Sequence, residues 1–230
     1  GLNIDVLAID DHRMERKYVV KKYLKWLFYY FFKVGFSRKK YDIIHAHYVF
    51  PSGLLGLWYK KLKGGKLVVT AHGGDIDKMA NKSPFFNKQT EKILHNADTI
   101  IAVGEKLRDD IVAKFKVNQE KIHVINMGVN RSTFKPMEKN LVRKKLNLGS
   151  NKFVILFVRN LIKAKGVFEL VKSFEQLKQL YSDMELHLIG ANKEPQFLGT
   201  MSDYIERQNI SDIYFHPPMH QSDIAEWMSA

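Results

Sequence analysis

Histidines close two successive short apolar runs in the sequence. The run 42–47 carries His45 and His47, and the run 67–71 leads directly into the turn His72-Gly-Gly-Asp75. Glycines after a strand let the backbone approach a ligand closely and direct amide donors at an anion, while a histidine there can hydrogen-bond an oxygen. The pattern predicts a ligand site at this turn. Its candidate residues are His72, His47, Gly73 and Asp75.

The pair His45 and His47 also has the spacing of a metal-binding pair, because both rings lie on one face of a strand. The sequence contains no cysteine, no His-Glu-x-x-His pattern and no evident third ligand. We therefore predict no metal site. The lack of cysteine also excludes a disulfide scaffold and thiolate catalysis.

A second candidate site follows a later apolar run. The segment 157–166 carries Arg159, Lys163 and Lys165, and it ends on Gly166 just before a helical pattern. A helix N-terminus offers free amides and a favourable dipole to an anion, and lysine adds a point charge. The segment predicts a diphosphate site, with a basic surface loop as the plain alternative.

Short strand-like runs and helical patterns alternate along the whole chain, and this alternation must position both sites. Strands that are apolar on both sides and separated by helices predict parallel sheets in a doubly wound α/β fold. The predicted strands are 4–9, 42–47, 66–71, 99–103, 122–125, 153–158, 185–189 and 213–216. The predicted helices in the second half are 166–181, 197–208 and one from about residue 222.

A polar stretch at 136–149 interrupts the alternation and ends on a glycine stop signal. It predicts two Rossmann-like domains, 1–137 and 152–230, joined by a connector at 138–151. Ligands of such sheets bind beyond the carboxyl ends of the strands, so the cleft is expected where the domains face each other.

The net charge of +13 is concentrated in residues 13–66, which hold 14 Lys and Arg against two acidic residues. Within this region, 17–33 combines lysines with Trp26, Phe28 and Phe32. Its apolar run of 7 residues is too short for a bilayer, which needs about 20. The pattern predicts an amphipathic helix that packs on a sheet or lies on an anionic membrane, with residues 17–40 as the membrane contact. No nucleic-acid motif is present, so we predict no nucleic-acid partner.

The expected signatures of several enzyme classes are absent: a Walker A loop, Gly-x-Gly-x-x-Gly and Gly-x-Ser-x-Gly. The residues alone thus indicate a two-domain α/β protein that binds an anionic ligand.

Four motifs in order resemble one known family. They are Asp42-x-x-His45-x-His47, Thr70-Ala-His72-Gly-x-Asp75, Ala102-Val-x-x-x-Leu107 with Val124-Ile-Asn-Met-Gly-Val-Asn130, and a strand–loop–helix that ends on Lys165-Gly166. Together they resemble the retaining glycosyl transferases group 1, which have the two-Rossmann-domain GT-B architecture. The resemblance spans nearly the whole chain.

The resemblance implies roles for the candidate residues. The N-terminal domain would hold the acceptor, with His72 as the catalytic residue beside the transferred sugar. The C-terminal domain would hold a nucleotide-diphosphate sugar, with Lys165 neutralising the leaving diphosphate without metal or another cofactor. Arg159 and Asn160 stand where the family commonly has Gly-Arg, so Asn160 occupies the usual arginine position.

The resemblance also implies a chain cut short at both ends. The family's Glu-x7-Glu segment would follow Ala230, so this stretch alone is expected to be inactive. The implied function is transfer of a sugar, with retention, to a cell-envelope polysaccharide or a lipid-linked acceptor. The expected location is cytoplasmic, or peripheral at the inner face of the cytoplasmic membrane. The alternatives are a nucleotide-sugar 2-epimerase of the same architecture and a non-catalytic anion-binding domain.

Overall fold

The structure is a computed structural model that describes residues 3–8 and 16–230; within 16–35 it describes the side chains of residues 21, 24–32 and 34 only. The chain divides into two compact units, Gly1–Met127 and Gly128–Ala230. The predicted domain limits 1–137, 138–151 and 152–230 stay a prediction.

The first unit is built on a parallel sheet whose strands lie in sequence order. Its strands are β1 (Ile43–His47), β2 (Lys66–Ala71), β3 (Thr99–Ala102) and β4 (Ile122–Val124). The register places His47 beside Thr70 and Thr70 beside Ile101. Because the strands are parallel, their carboxyl ends meet at one edge of the sheet.

Helices alternate with these strands. They are α1 (Arg16–Tyr30), α2 (Ser52–Lys63), α3 (Pro84–Asn96) and α4 (Glu105–Phe115), with short turns at Phe31–Gly35, Asp75–Met79, Ala80–Lys82 and Gln119–Lys121. Helix α3 begins where the Ser83 hydroxyl accepts from the amide of Phe86, and Pro84 occupies the first turn, where its missing N–H costs nothing. Alternate strand residues such as Val69 and Ile100 are fully buried against helical residues such as Ile93.

Helix α1 is held against α2. The hydroxyl of Tyr30 donates to the carbonyl of Leu55 at 2.6 Å, and Lys63 Nζ donates to the carbonyl of Val34 at 2.8 Å. The helix predicted over 17–33 is confirmed as an α-helix over 17–30, and the chain continues as a π-helical turn from Phe31 to Gly35. In the part of the chain that is described, no helix is both long enough and apolar enough to cross a membrane.

The second unit repeats the pattern around a three-stranded parallel sheet in sequence order. Its elements are α5 (Lys139–Lys145), β5 (Phe153–Val158), α6 (Val167–Leu180), β6 (Met184–Ile189), α7 (Pro195–Arg207), β7 (Ile213–His216) and α8 (Gln221–Ser229), with a short turn at Lys163–Lys165. Leu186 and Leu188 are fully buried in the core formed with α6 and α7. On the other sheet face, the ring of His187 lies 4.7 Å from that of Trp227 in α8.

These findings confirm the predicted fold class, α/β with parallel sheets, and the later strands to within two residues at each end. The strand predicted at 4–9 is wrong over residues 4–8, which form no strand; residue 9 lies outside the described residues. Ile4 and Val6 are 71% and 78% exposed, so their apolar side chains gain no burial that would favour a strand. Asp5 instead accepts from Lys39 and from the Tyr41 hydroxyl.

The polar stretch 136–149 contains helix α5. Glu138 caps it, because its carboxylate accepts from the amides of Asn140 and Leu141. Arg143 is buried and donates to the carbonyls of Gly149 and Ala230. These bonds make α5 part of the second unit's packing.

Candidate functional site

The histidines at the carboxyl ends of β1 and β2 meet. Nδ1 of His47 lies 3.2 Å from Nε2 of His72, and the rings of His45 and His47 stack at 4.6 Å. Nε2 of His45 is 2.8 Å from the hydroxyl oxygen of Thr70. The rings lie close together because the parallel register pairs His47 with Thr70, and His72 follows Thr70 by two residues. The expected shared edge is confirmed.

The surroundings of His45 disfavour its charged form. Burial, followed by the nearby charges of His47 and His72, lowers the pKa of His45 below its ordinary value of 6.5. His45 is therefore neutral at pH 7. Nε2 of His72 is engaged by His47, which leaves Nδ1 of His72 for another partner.

Asp75 holds the turns that carry this cluster in place. Its side chain is only 2% exposed, and its Oδ2 accepts from the amide of Val49 at 2.8 Å. Its Oδ1 accepts from the amide of His72 at 3.0 Å. The carboxylate therefore ties the turn after β1 to the turn after β2.

Gly73 keeps the turn open. Its φ of +91° lies in the region that favours glycine, and a Cβ there would meet no atom within 4 Å. Its carbonyl accepts from the amides of Ile76 and Asp77. The space above the turn is thus open, and the ligand-binding role of Gly73 stays a prediction.

Sequence reasoning missed Tyr48. Its φ is +71°, its side chain is half exposed, and its ring lies 4.7 Å from that of His72. An aromatic residue directly after a strand-end histidine was the available signal. Tyr48 therefore gives the cluster an exposed aromatic wall.

The basic loop of the second unit lies at the carboxyl end of β5. Its side chains Arg159, Asn160, Lys163 and Lys165 are all exposed. Gly166 has φ +72° and precedes α6, whose first turn has no side-chain cap. The loop therefore presents uncapped helix amides together with lysine charge, which is the chemistry of an anion site.

Gly190 positions this loop and is a second residue that sequence reasoning missed. A Cβ at Gly190 would lie 1.7 Å from the carbonyl oxygen of Arg159, so only glycine permits the observed backbone approach. The amide of Arg159 donates to the carbonyl of Ile189. A glycine directly after a buried strand was its sequence signal.

The predicted site residues thus fall into two groups. His47, His72, Gly73 and Asp75 come together in the first unit, whereas Arg159, Asn160 and Lys165 share one loop of the second unit. Over residues 3–8 and 16–230, no group of three or more His, Cys, Asp or Glu side chains has an arrangement that could hold a metal ion.

Comparison with known families identifies the chain. The family model described as Glycosyltransferase Family 4 matches residues 9–133, more than half of the chain. The chain belongs to glycosyltransferase family 4. A second model, Glycosyl transferases group 1, matches residues 138–229 of this family 4 chain.

Two relatives illustrate the family. A teichuronic acid biosynthesis glycosyltransferase of Bacillus subtilis is 30% identical over 139 residues, covering 60% of this chain and 35% of the relative. A D-inositol 3-phosphate glycosyltransferase of Pseudarthrobacter chlorophenolicus is 26% identical over 205 residues, covering 83% of this chain and 47% of the relative. The family 4 chain therefore spans less than half the length of either protein.

Solved structures share its fold. The sucrose-phosphate synthase of Thermosynechococcus elongatus has a TM-score of 0.71 at 20% identity, covering 94% of this chain and 55% of that one. The Anabaena protein HepE in complex with UDP also has a TM-score of 0.71, at 19% identity, covering 82% of this chain and 50% of that one. The two sheets of the family 4 chain match the two Rossmann-like domains of the GT-B fold.

Proposed function

We propose that this protein transfers a sugar from a nucleoside-diphosphate sugar to an acceptor glycan or lipid-linked acceptor, with retention of anomeric configuration. The observation that carries the proposal is the exposed basic loop Arg159–Gly166, which leads into the uncapped N-terminus of α6. Family membership supports the reaction class.

The loop suits the leaving diphosphate. Negative charge grows on the diphosphate as its bond to the sugar breaks, so a cation placed there stabilises the transition state more than the ground state. Lys165 supplies that cation in the last position before Gly166, and Arg159 and Asn160 add donors from the start of the loop. UDP is a reasonable first donor nucleotide, since the structurally similar HepE binds it.

The histidine cluster suits the acceptor side. His72 hydrogen-bonds a hydroxyl of the transferred sugar or of the acceptor through Nδ1, while His47 holds its Nε2. Tyr48 and Gly73 supply a wall and open space beside it. No metal or further cofactor takes part in this proposal, because the helix amides and lysines supply the positive charge.

We propose a cell-envelope polysaccharide or its lipid-linked precursor as the acceptor. One relative is named for teichuronic acid biosynthesis, and the first unit carries an exposed aromatic surface that suits a membrane-bound substrate. This surface, the aromatic patch, comprises Phe28, Phe31, Phe32 and Phe36, which are 53–73% exposed.

The aromatic patch is the basis for proposing peripheral attachment at the inner face of the cytoplasmic membrane. The rings of Phe28 and Phe32 lie 4.3 Å apart, and those of Phe32 and Phe36 lie 5.8 Å apart. Trp26, which the sequence pattern grouped with Phe28 and Phe32, is only partly exposed. Clustered aromatic rings insert at the boundary between head groups and acyl chains.

The donor site is tested by UDP binding. UDP should raise the melting temperature of the protein, and Lys165→Ala should remove most of that shift because the diphosphate loses its point charge. Lys144→Ala, which removes an exposed lysine of α5, is the matched control and should keep the full shift. An undiminished shift in Lys165→Ala contradicts the diphosphate role.

The reaction class is tested separately. Incubation of the protein with a nucleotide sugar and no acceptor should leave the sugar configuration unchanged. Release of the C2 epimer under these conditions would identify a 2-epimerase instead. UDP binding without transfer of the sugar to any glycan or lipid-linked acceptor would favour the anion-binding domain.

A further inference from the structure

A groove of about 520 Å³ lies on the first unit at the amino ends of β1 and β2. Four lysines and two aspartates dominate its lining. They are Lys40, Lys60, Lys63, Lys66, Asp42 and Asp98. Four positive charges against two negative ones give the groove a net attraction for anions.

The groove is separate from the histidine cluster. Asp42 immediately precedes β1 and Lys66 begins β2, whereas His47 ends β1 and His72 follows β2. Five residues of strand separate the two edges, which corresponds to about 17 Å. A ligand in the groove therefore does not reach the site proposed for sugar transfer.

Two of the lysines are held in place by the protein. Lys60 Nζ bonds Asp98 Oδ2 at 2.6 Å and the carbonyl of Asn96 at 2.9 Å. Lys63 Nζ donates to the carbonyls of Val34 and Ser37. These bonds hold both ammonium groups in the wall of the groove, and Asp98 offsets the charge of Lys60.

The other two lysines are exposed to solvent. Lys66 is 74% exposed, and its Nζ lies 3.6 Å from Asp98 Oδ1, a long contact for an ion pair. Lys40 is exposed as well and lines the same groove. Each ammonium group offers three donors to a phosphate in the groove.

The groove is continuous with the aromatic patch. Lys63, which lines the groove, holds the carbonyls of Val34 and Ser37, and Phe36 lies between those two residues. The lysines of the groove therefore lie next to exposed aromatic rings. In the same way, the phosphate of a glycerophospholipid lies next to its acyl region at a membrane surface.

We propose that this groove binds the head-group phosphate of an anionic phospholipid while the aromatic patch enters the adjoining acyl region. The inference rests on the membrane attachment in the proposed function and specifies which lipid group is bound. It is independent of the sugar-transfer reaction.

Flotation with vesicles tests the inference. The protein should float with vesicles of phosphatidylcholine and phosphatidylglycerol and should not float with phosphatidylcholine alone. The double variant Lys40→Ala/Lys66→Ala should lose about 30-fold in vesicle affinity, as expected for two lysines near an anionic surface. Both side chains are exposed, so the fold is retained, and circular dichroism checks this.

The matched control removes the same charge elsewhere. Lys88→Ala/Lys92→Ala changes two exposed lysines of α3 and should keep vesicle affinity within about threefold of the unaltered protein. Equal losses in the two double variants would mean that net charge alone drives binding, which overturns the groove. Unchanged flotation of the groove variant overturns it as well.

Competition with a soluble phosphate compound distinguishes a lipid head group from a free phosphate ligand in the groove. Glycerol phosphate should compete only weakly with vesicles, because it lacks the acyl part that the aromatic patch contacts. Tight, Lys66-dependent binding of glycerol phosphate without flotation would assign the groove to a soluble ligand and overturn the lipid proposal. The UDP-induced melting shift reports the donor site alone and should be equal in both double variants.

Discussion

Asp75 accepts the backbone amide of His72 at 3.0 Å, and its other carboxylate oxygen accepts the amide of Val49 at 2.8 Å. A buried charge is stable only when it is hydrogen-bonded, so both amides are needed to keep Asp75 in place. The same bonds keep the turn that carries His72 beside the end of β1. Asp75 is therefore a positioning residue for the histidine cluster.

Replacing the Asp75 carboxylate should lower the stability of the first unit. Asp75→Asn leaves an amide group facing one of the two backbone donors, and we expect a loss of about 1.5–3 kcal/mol in the free energy of unfolding. Urea denaturation measures it. Asp77→Asn, an exposed change two residues away, should cost less than about 0.5 kcal/mol. Similar values for the two variants would refute the positioning role.

Alanine substitutions at two glycines of the second unit should have opposite effects on stability. Gly190→Ala places a Cβ 1.7 Å from the carbonyl oxygen of Arg159, so the loop must shift and both stability and UDP binding should fall. Gly199→Ala lies within α7 with no atom within 4 Å of the new Cβ, and it should stabilise by about 0.5–1 kcal/mol. Melting temperatures with and without UDP check both. A Gly190→Ala protein that binds UDP normally would contradict the loop-positioning argument.

Stability should fall on the acid side of neutrality. Burial is the main cause that lowers the pKa values of His45, His187 and His216 below the ordinary 6.5, and neighbouring histidines add to it for His45 and His216. The unfolded chain then binds more protons than the folded one. The stabilisation is complete above about pH 6.5 and is lost as the pH falls from there through the lower folded-state values.

Unfolding free energies measured from about pH 7 to about pH 5 check this pH dependence. His187→Gln removes one of the three depressed groups, so its profile should be flatter than that of the unaltered protein. A profile with the original slope would show that His187 does not contribute.

Removing rings from the aromatic patch should weaken membrane binding without unfolding the protein. Phe28→Ser/Phe32→Ser removes two exposed rings and should lower vesicle affinity at least about tenfold, since apolar burial supplies part of the binding energy. Phe85→Ser removes a ring of α3 that is 61% exposed and should leave flotation unchanged. Equal flotation of all three proteins would exclude insertion through the patch.

The sequence by itself predicted the parallel α/β fold, because parallel strands are recorded locally as short runs rich in apolar and β-branched residues, such as 66–71 and 153–158. It also predicted that His47 and His72 share an edge, since every such strand ends at the same side of its sheet. The strand predicted over residues 4–8 is wrong because an apolar run forms a strand only where tertiary contacts pair it and bury its side chains, and Ile4 and Val6 stay exposed.

The tertiary structure alone decided which atoms meet at the turn from His72 to Asp75. The bond from Val49 to Asp75, the ring of Tyr48 beside His72 and the fit of Gly190 against Arg159 join residues that are brought together by strand register and turn conformation. The groove between Lys40 and Lys66 likewise exists only once β1 and β2 are aligned. Local patterns encode burial and turn chemistry, whereas these contacts depend on the three-dimensional register between segments, which no local pattern contains.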